Sequence, residues 1–189
     1  MKPRTTLLLV FAIFLTPVLV ATLMHSNWWH YQPQTRNYGE LIEPVIKLAE
    51  FNAQAATGET LTAQQLLDRW TLLAVTRQPC AGDCLERATW LAQLRETQGR
   101  HLDRLQVLVV GATLPQTLPE LPSGIQILQH QPQSTWLQTL PDNDINLQTT
   151  YLLDPAGNII LRYPPAADPT GMRKDLKRIL TWSKADKES

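Results

Sequence analysis

Cysteine is nearly missing from this chain: its 189 residues contain two, Cys80 and Cys84, and only four histidines. There is no excess of one charge either, because 17 lysines and arginines balance 17 aspartates and glutamates. A neutral chain without a basic stripe lacks the electrostatic footprint of a nucleic-acid binder. No internal repeat, phosphate-cradling glycine loop, Ser-His-Asp order or paired carboxylates can be found. Those absences exclude solenoid architecture, nucleotide binding through a glycine-rich turn, triad hydrolysis and two-carboxylate acid–base chemistry. The chemistry that remains must run through a very small set of side chains.

A second absence is local. After Met1-Lys2-Pro3-Arg4, no charged residue occurs between Thr5 and Met24. Leu7–Met24 is long enough to cross about 27 Å of hydrocarbon at a helical rise of about 1.5 Å per residue. His25-Ser26-Asn27-Trp28-Trp29-His30-Tyr31 follows, with aromatics suited to the headgroup belt. The run exceeds the apolar core of a signal peptide, and only Val20-Ala21-Thr22 offers a weak cleavage site. The expectation is an uncleaved single-pass anchor over residues 1–29 and a tether over 30–40. Lys2 and Arg4 place the N-terminus in the cytoplasm, and everything after Trp29 across the membrane. In a bacterium that is the inner membrane with a periplasmic domain, where disulfides persist. Hydrophobic content of 43% with mean hydropathy −0.19 suits a soluble domain joined to one greasy segment.

The domain, expected over 41–182, opens with a strand near Leu41–Pro44. Val45–Phe51 fits a short helix or a strand, Thr57-Gly58-Glu59 a turn, and Thr62 a cap for a short helix through Arg69. Thr71–Val75 is a continuous apolar run, the pattern of a strand buried on both faces. Cys84–Gln98 reads as a helix with Leu85, Ala88, Leu91 and Ala92 toward the sheet, and Leu105–Val110 as a second buried strand. Together they make a right-handed βαβ unit. A proline-rich connection leads to a strand at Ile125–Leu128 and a short helix at Thr135–Leu140. Thr150–Leu153 and Ile159–Tyr163 form a hairpin across Asp154–Asn158. Pro169 starts the last helix, with Met172, Leu176, Ile179 and Leu180 on one face, and residues 183–189 are an expected frayed tail.

Cys80 and Cys84 stand in Pro79-Cys80-Ala81-Gly82-Asp83-Cys84, directly after the first buried strand. Four residues are about one helical turn, so both sulfurs fall on one face. Thiols so placed can close a disulfide, exchange one, or bind a thiophilic metal such as copper(I). Position at a helix start favours the thiolate, which makes Cys80 the expected attacking group. Asp83 opposes thiolate formation and adds negative charge near a bound cation. Two unrelated buried thiols are the plain alternative.

The order β, Cys-bearing loop, α, β, α, β-hairpin, α resembles the thioredoxin fold, an α/β architecture with a central mixed sheet flanked by helices. Within that fold the chain resembles the Sco/SenC family of membrane-anchored copper proteins that assist cytochrome c oxidase assembly. The N-terminal span, three residues between the cysteines, and Tyr151-Leu152-Leu153-Asp154-Pro155-Ala156-Gly157 carry the resemblance. It implies copper held by Cys80, Cys84 and a histidine just before the Tyr-Leu strand. Here that position is Asn146, followed by Leu147 and Gln148, and Gln148 falls near the thioredoxin cis-proline position. His130 is the one histidine placed to substitute as a metal ligand. His101, His25, His30 and Met172 are expected to have no chemical role.

Three functions remain open at this stage. The first is oxidase assembly by thiol presentation or copper(I) handling. Its partner would be an inner-membrane protein, such as a cytochrome c oxidase subunit, or another copper chaperone. The others are thiol–disulfide exchange with a partner's cysteines, and a scaffold in which a disulfide only staples the loop.

Overall fold

The computed structural model describes residues 3–25, 37–118, 120–141 and 148–183. They belong to two compact units, Met1–Arg36 and Asn37–Ser189. The expected aromatic interface after His25, most of the tether, Asn146 and the tail beyond Ser183 lie outside the described residues.

The first unit contains one helix, α1, Pro3–His25, with Pro17 inside it. Its side chains at Phe11, Ile13, Phe14 and Val18 are exposed. Thr16 and Thr22 turn their hydroxyls back onto the carbonyls of Ala12 and Val18. Among the described residues no helix is long and apolar enough to cross a membrane.

The second unit is built on one eight-stranded sheet. In chain order its strands are β1 (Glu40–Lys47), β2 (Asn52–Ala55), β3 (Thr60–Thr62), β4 (Trp70–Val75), β5 (Leu105–Gly111), β6 (Ile125–Gln129), β7 (Thr149–Leu153) and β8 (Asn158–Tyr163). In space they lie β1-β8-β7-β4-β5-β6-β2-β3. β4, β5 and β6 are mutually parallel, and β7 joins β4 antiparallel. The sheet is therefore mixed, as expected.

Alternation along β4 explains its unbroken apolar sequence. Leu72 and Ala74 enter one core, and Leu73 and Val75 enter the other. The first core lies under α2 (Asp83–Glu96) and α4 (Pro169–Trp182), where Ala88, Leu91, Met172, Leu176 and Leu180 meet the sheet. The expected stripes on both helices face this core, with Leu85 and Ile179 only partly buried against it, and Met172 is core. The second core is closed by α3 (Trp136–Thr139) and the turn after β1. There Phe51 packs on Trp136 with ring centroids 4.9 Å apart, and the indole N–H donates to Asn52 O.

Two elements differ from expectation. Val45–Lys47 completes β1, and Leu48 and Phe51 are buried in the following turn. β2 and β3 form a hairpin at the far edge of the sheet around the expected Thr57–Glu59 turn. Asn52-Ala53-Gln54-Ala55 carries no strong alternating apolar signal, and it becomes a strand by pairing with β6. The 62–69 helix is a single 3-10 turn, Ala63–Leu66, with a Thr62–Gln65 capping box.

Residues 37–39, assigned above to the tether, are fixed to the domain by one buried carboxylate. Asp175, 1% exposed, accepts from the backbone N–H groups of Tyr38 and Gly39 at 2.8 and 2.9 Å. It also accepts from the Tyr163 hydroxyl and the Arg178 guanidinium, and Arg178 reaches Asn37 as well. Two glycines permit this closeness. A Cβ on Gly39 would lie 2.6 Å from the Tyr163 ring, and one on Gly171 would lie 2.5 Å from the Tyr38 ring.

Burial, reinforced by the Asp175 charge and hydrogen bond, raises the Tyr163 phenol well above its ordinary value. An unfolded chain releases this proton near pH 10, whereas the native state keeps it. The native state then binds more protons, so stability is present below about pH 10 and declines as pH rises above it. Tyr163→Phe removes that contribution. Urea midpoints measured from about pH 8 to 11 are expected to fall less steeply in the variant than in the parent.

Candidate functional site

The site lies where β4 ends and α2 begins. The backbone of residues 76–80 is laced to the segment after β5: Thr76 N–H donates to Val110 O, Ala112 N–H to Gln78 O, and Cys80 N–H to Thr113 O. Gly111 makes the approach possible. A Cβ there would stand 2.8 Å from the Cys80 Cβ and 3.1 Å from its nitrogen, so any larger residue would push the loop away. Gly82 precedes α2 with φ +45° and ψ −110°, a conformation that glycine tolerates.

Cys80 and Cys84 are joined as a disulfide with Cα atoms 5.1 Å apart. Cys84 is the second residue of α2, and Cys80 lies three residues before the helix begins. This corrects the expected assignment of helix-start character to Cys80: Cys84 sits in the first turn. Neither sulfur is at the surface, because both residues are 1% exposed and pack within the first core. Pro79, Ala81, Gly82 and Asp83 form the outer side of the loop and are exposed.

An open groove of about 950 Å³ runs along this loop. Pro79, Ala81, Trp90, Gln148, Pro165 and Pro169 line it, with Asp83, Glu86 and Arg87 at its edges. Arg87 is fixed there. It donates to Pro165 O at 2.8 Å, and its guanidinium lies 5.3 Å from the centre of the Trp90 ring. Burial lowers its pKa from the ordinary arginine value. Trp90 and Arg87 are groove residues that the sequence analysis did not single out. Their signal was available in the spacing of Asp83, Arg87 and Trp90, which places them on one face of α2, with Trp90 partly buried against the first core.

His130 follows β6, donates its backbone N–H to Gly111 O, and has Nδ1 3.2 Å from Gln131 O. Among the described residues no three His, Cys, Asp or Glu side chains converge to hold a metal, so His130 does not complete a site with the cysteine pair. His101 is buried in the 3-10 segment Gly99–Arg104, where its Nε2 accepts from Arg100. Gln148 lines the groove beside the cysteine loop.

These observations can be set beside known proteins. Residues 70–183 match the family model described as transmembrane-like, thioredoxin-like, C-terminal domain. The chain belongs to that family. Comparison with curated proteins returns no match. In fold, the chain is similar to copper-bound Sco1 from yeast, at 16% identity and TM-score 0.56 over 69% of this chain and 90% of that one. It is similar to BsSco, a member of the Sco family of cytochrome c oxidase assembly proteins in which a disulfide switch is identified. That likeness has 14% identity and TM-score 0.54, over 76% and 97% of the two chains. A protein assigned as the thiol:disulfide interchange protein DsbE from Chlorobium tepidum is similar at 17% identity and TM-score 0.52, over 71% and 96%. The expected thioredoxin-like fold and its Sco-like form are therefore present in this member of the family.

Proposed function

We propose that this protein is a membrane-anchored, periplasmic assembly factor that assists cytochrome c oxidase maturation through the Cys80/Cys84 pair. The observation that carries this reading is a vicinal cysteine pair closed across one turn at the β4–α2 junction, beside an open groove. In the oxidised state the sulfurs are shielded, and a partner's thiolate reaches them only when the loop 79–83 moves aside. Two-electron reduction breaks the S–S bond, takes up two protons, and releases two thiols that only the loop 79–83 separates from the groove. The reductant is a dithiol of a partner, which becomes a disulfide in the exchange.

Copper(I) would be cargo, not a resident cofactor. The donor set fits it in part, because two thiolates suit a soft cation in near-linear coordination. The described residues offer no third ligand, and they do not suit copper(II), which wants nitrogen or oxygen donors as well. The anchor is α1, whose described apolar side chains at Phe11, Ile13, Phe14 and Val18 are exposed and whose Thr16 and Thr22 satisfy their hydroxyls on the helix itself, as hydrocarbon surroundings demand. The partner would be an inner-membrane protein, an oxidase subunit or another copper chaperone.

Deleting the gene in its native host should lower cytochrome c oxidase activity under copper limitation. The parent gene should restore it, and Cys80→Ser/Cys84→Ser should not. Full complementation by the double variant would leave only a scaffold. The disulfide itself favours one second reading, exchange with a partner's cysteines. Under it, one of the single variants Cys80→Ser and Cys84→Ser should accumulate a mixed disulfide through its remaining cysteine that non-reducing gels resolve.

A further inference from the structure

We infer that the outer face of α4 is a docking surface for a lipid bilayer carrying anionic headgroups. The inference rests on the anchored reading above and extends it to the folded domain. Along α4, Met172, Asp175, Leu176 and Leu180 are buried, whereas Arg173, Lys174, Lys177, Thr181 and Trp182 are exposed. At 100° per residue Arg173, Lys174, Lys177 and Thr181 fall on one side of the helix, and Trp182 lies at its edge in the last turn. The single acid of the helix, Asp175, is turned inward and paired, so Arg173, Lys174 and Lys177 face outward with no acid of the helix beside them, and the N-cap Asp168 is engaged by the Thr170 and Gly171 N–H groups.

Two further observations point to a bilayer and not to solvent alone. Trp182 is 76% exposed at the end of this face, and an indole beside a basic stripe is the composition of an interfacial helix. Tyr38 extends the same face: it is exposed, it lies under the Lys174 ammonium at 5.2 Å from its ring centre, and its hydroxyl accepts from that ammonium. The domain also begins here, because Asn37 is bonded to Arg178. Residues 26–36 join it to the end of α1 at His25, a connection that can reach at most about 40 Å. The basic face thus stays within reach of the bilayer that holds α1, and anionic headgroups supply the complementary charge. Pro169 at the other end of α4 lines the cysteine groove. A docked α4 would therefore hold that groove at a fixed height above the membrane, facing the exposed parts of neighbouring membrane proteins.

The test uses the full chain in nanodiscs of phosphatidylcholine, with or without about a third phosphatidylglycerol, and amine-reactive labelling read by mass spectrometry. Lys174 and Lys177 should label several-fold more slowly in the anionic discs, while Lys47 on β1 keeps its rate. About 0.5 M salt should abolish the difference, and Arg173→Glu/Lys177→Glu should return Lys174 to its rate in zwitterionic discs. Equal rates for Lys174 in both discs overturn the proposal. Protection that requires an added membrane protein assigns the face to a protein partner and overturns it too. A chain that fails to co-elute with either disc overturns the anchor, and this inference with it.

Discussion

Replacing Asp175 by alanine is expected to lower the unfolding free energy by about 3–5 kcal/mol, the range for removing one member of a buried charged network. The size follows from what the carboxylate leaves behind. Its Oδ2 accepts from two consecutive backbone N–H groups, Tyr38 and Gly39, and from the Tyr163 hydroxyl. Each donor stranded away from water costs about 1–3 kcal/mol. Arg178 loses one of its acceptors as well. Asp175→Asn keeps an acceptor oxygen for the two N–H groups and should cost clearly less. Urea denaturation of the three proteins measures the difference, and limited proteolysis should show faster cleavage near residues 37–39 in the alanine variant. A loss under about 1 kcal/mol would mean that water replaces the carboxylate, and the clamp would not be what holds this segment.

The second large effect concerns copper(I). The oxidised protein should take up none, because disulfide sulfurs are not thiolate ligands. After reduction, one equivalent should bind in competition with a bathocuproine-type chelator. Cys80→Ser and Cys84→Ser should each weaken binding by at least about a hundredfold, since loss of even a supporting partner of a ligand costs up to that much. His130→Ala should leave the affinity unchanged, because His130 is not gathered with the cysteine pair. Unaltered binding in Cys80→Ser would remove metal handling from the proposed function, and loss in His130→Ala would require the loop to rearrange around copper. Both expectations depend on how readily the loop yields once the S–S bond is gone. None of its backbone bonds, at Thr76, Ala112 and Cys80 or from Cys84, Leu85 and Glu86 to Ala81 and Gly82, passes through the sulfurs, so reduction removes the S–S link alone.

The local patterns proved to be reliable guides where burial is two-sided. β4 and β5 have continuous apolar sequences because helices cover one face and the Trp136–Phe51 layer covers the other. The β7–β8 hairpin and the stripe on α4 follow from turn chemistry and period in the same way. β2 was illegible because Asn52–Ala55 acquires strand structure from its partner strands. The groove was only half legible. The loop was visible as a motif, but Pro165 and Pro169 reach it from about eighty residues away in sequence, and no local pattern reports such an approach.

What the sequence determined alone is chemical identity and period: two cysteines one turn apart, an uncharged N-terminal run, and helices and strands whose apolar positions repeat at 3.6 or 2. Tertiary structure decided accessibility and company. It buried both sulfurs, set Gly111 against Cys80, bonded the His130 backbone to that same glycine, and turned Asp175 inward to hold the first residues of the domain. Burial and pairing are sums over elements distant in sequence, so they exist only after the sheet has assembled.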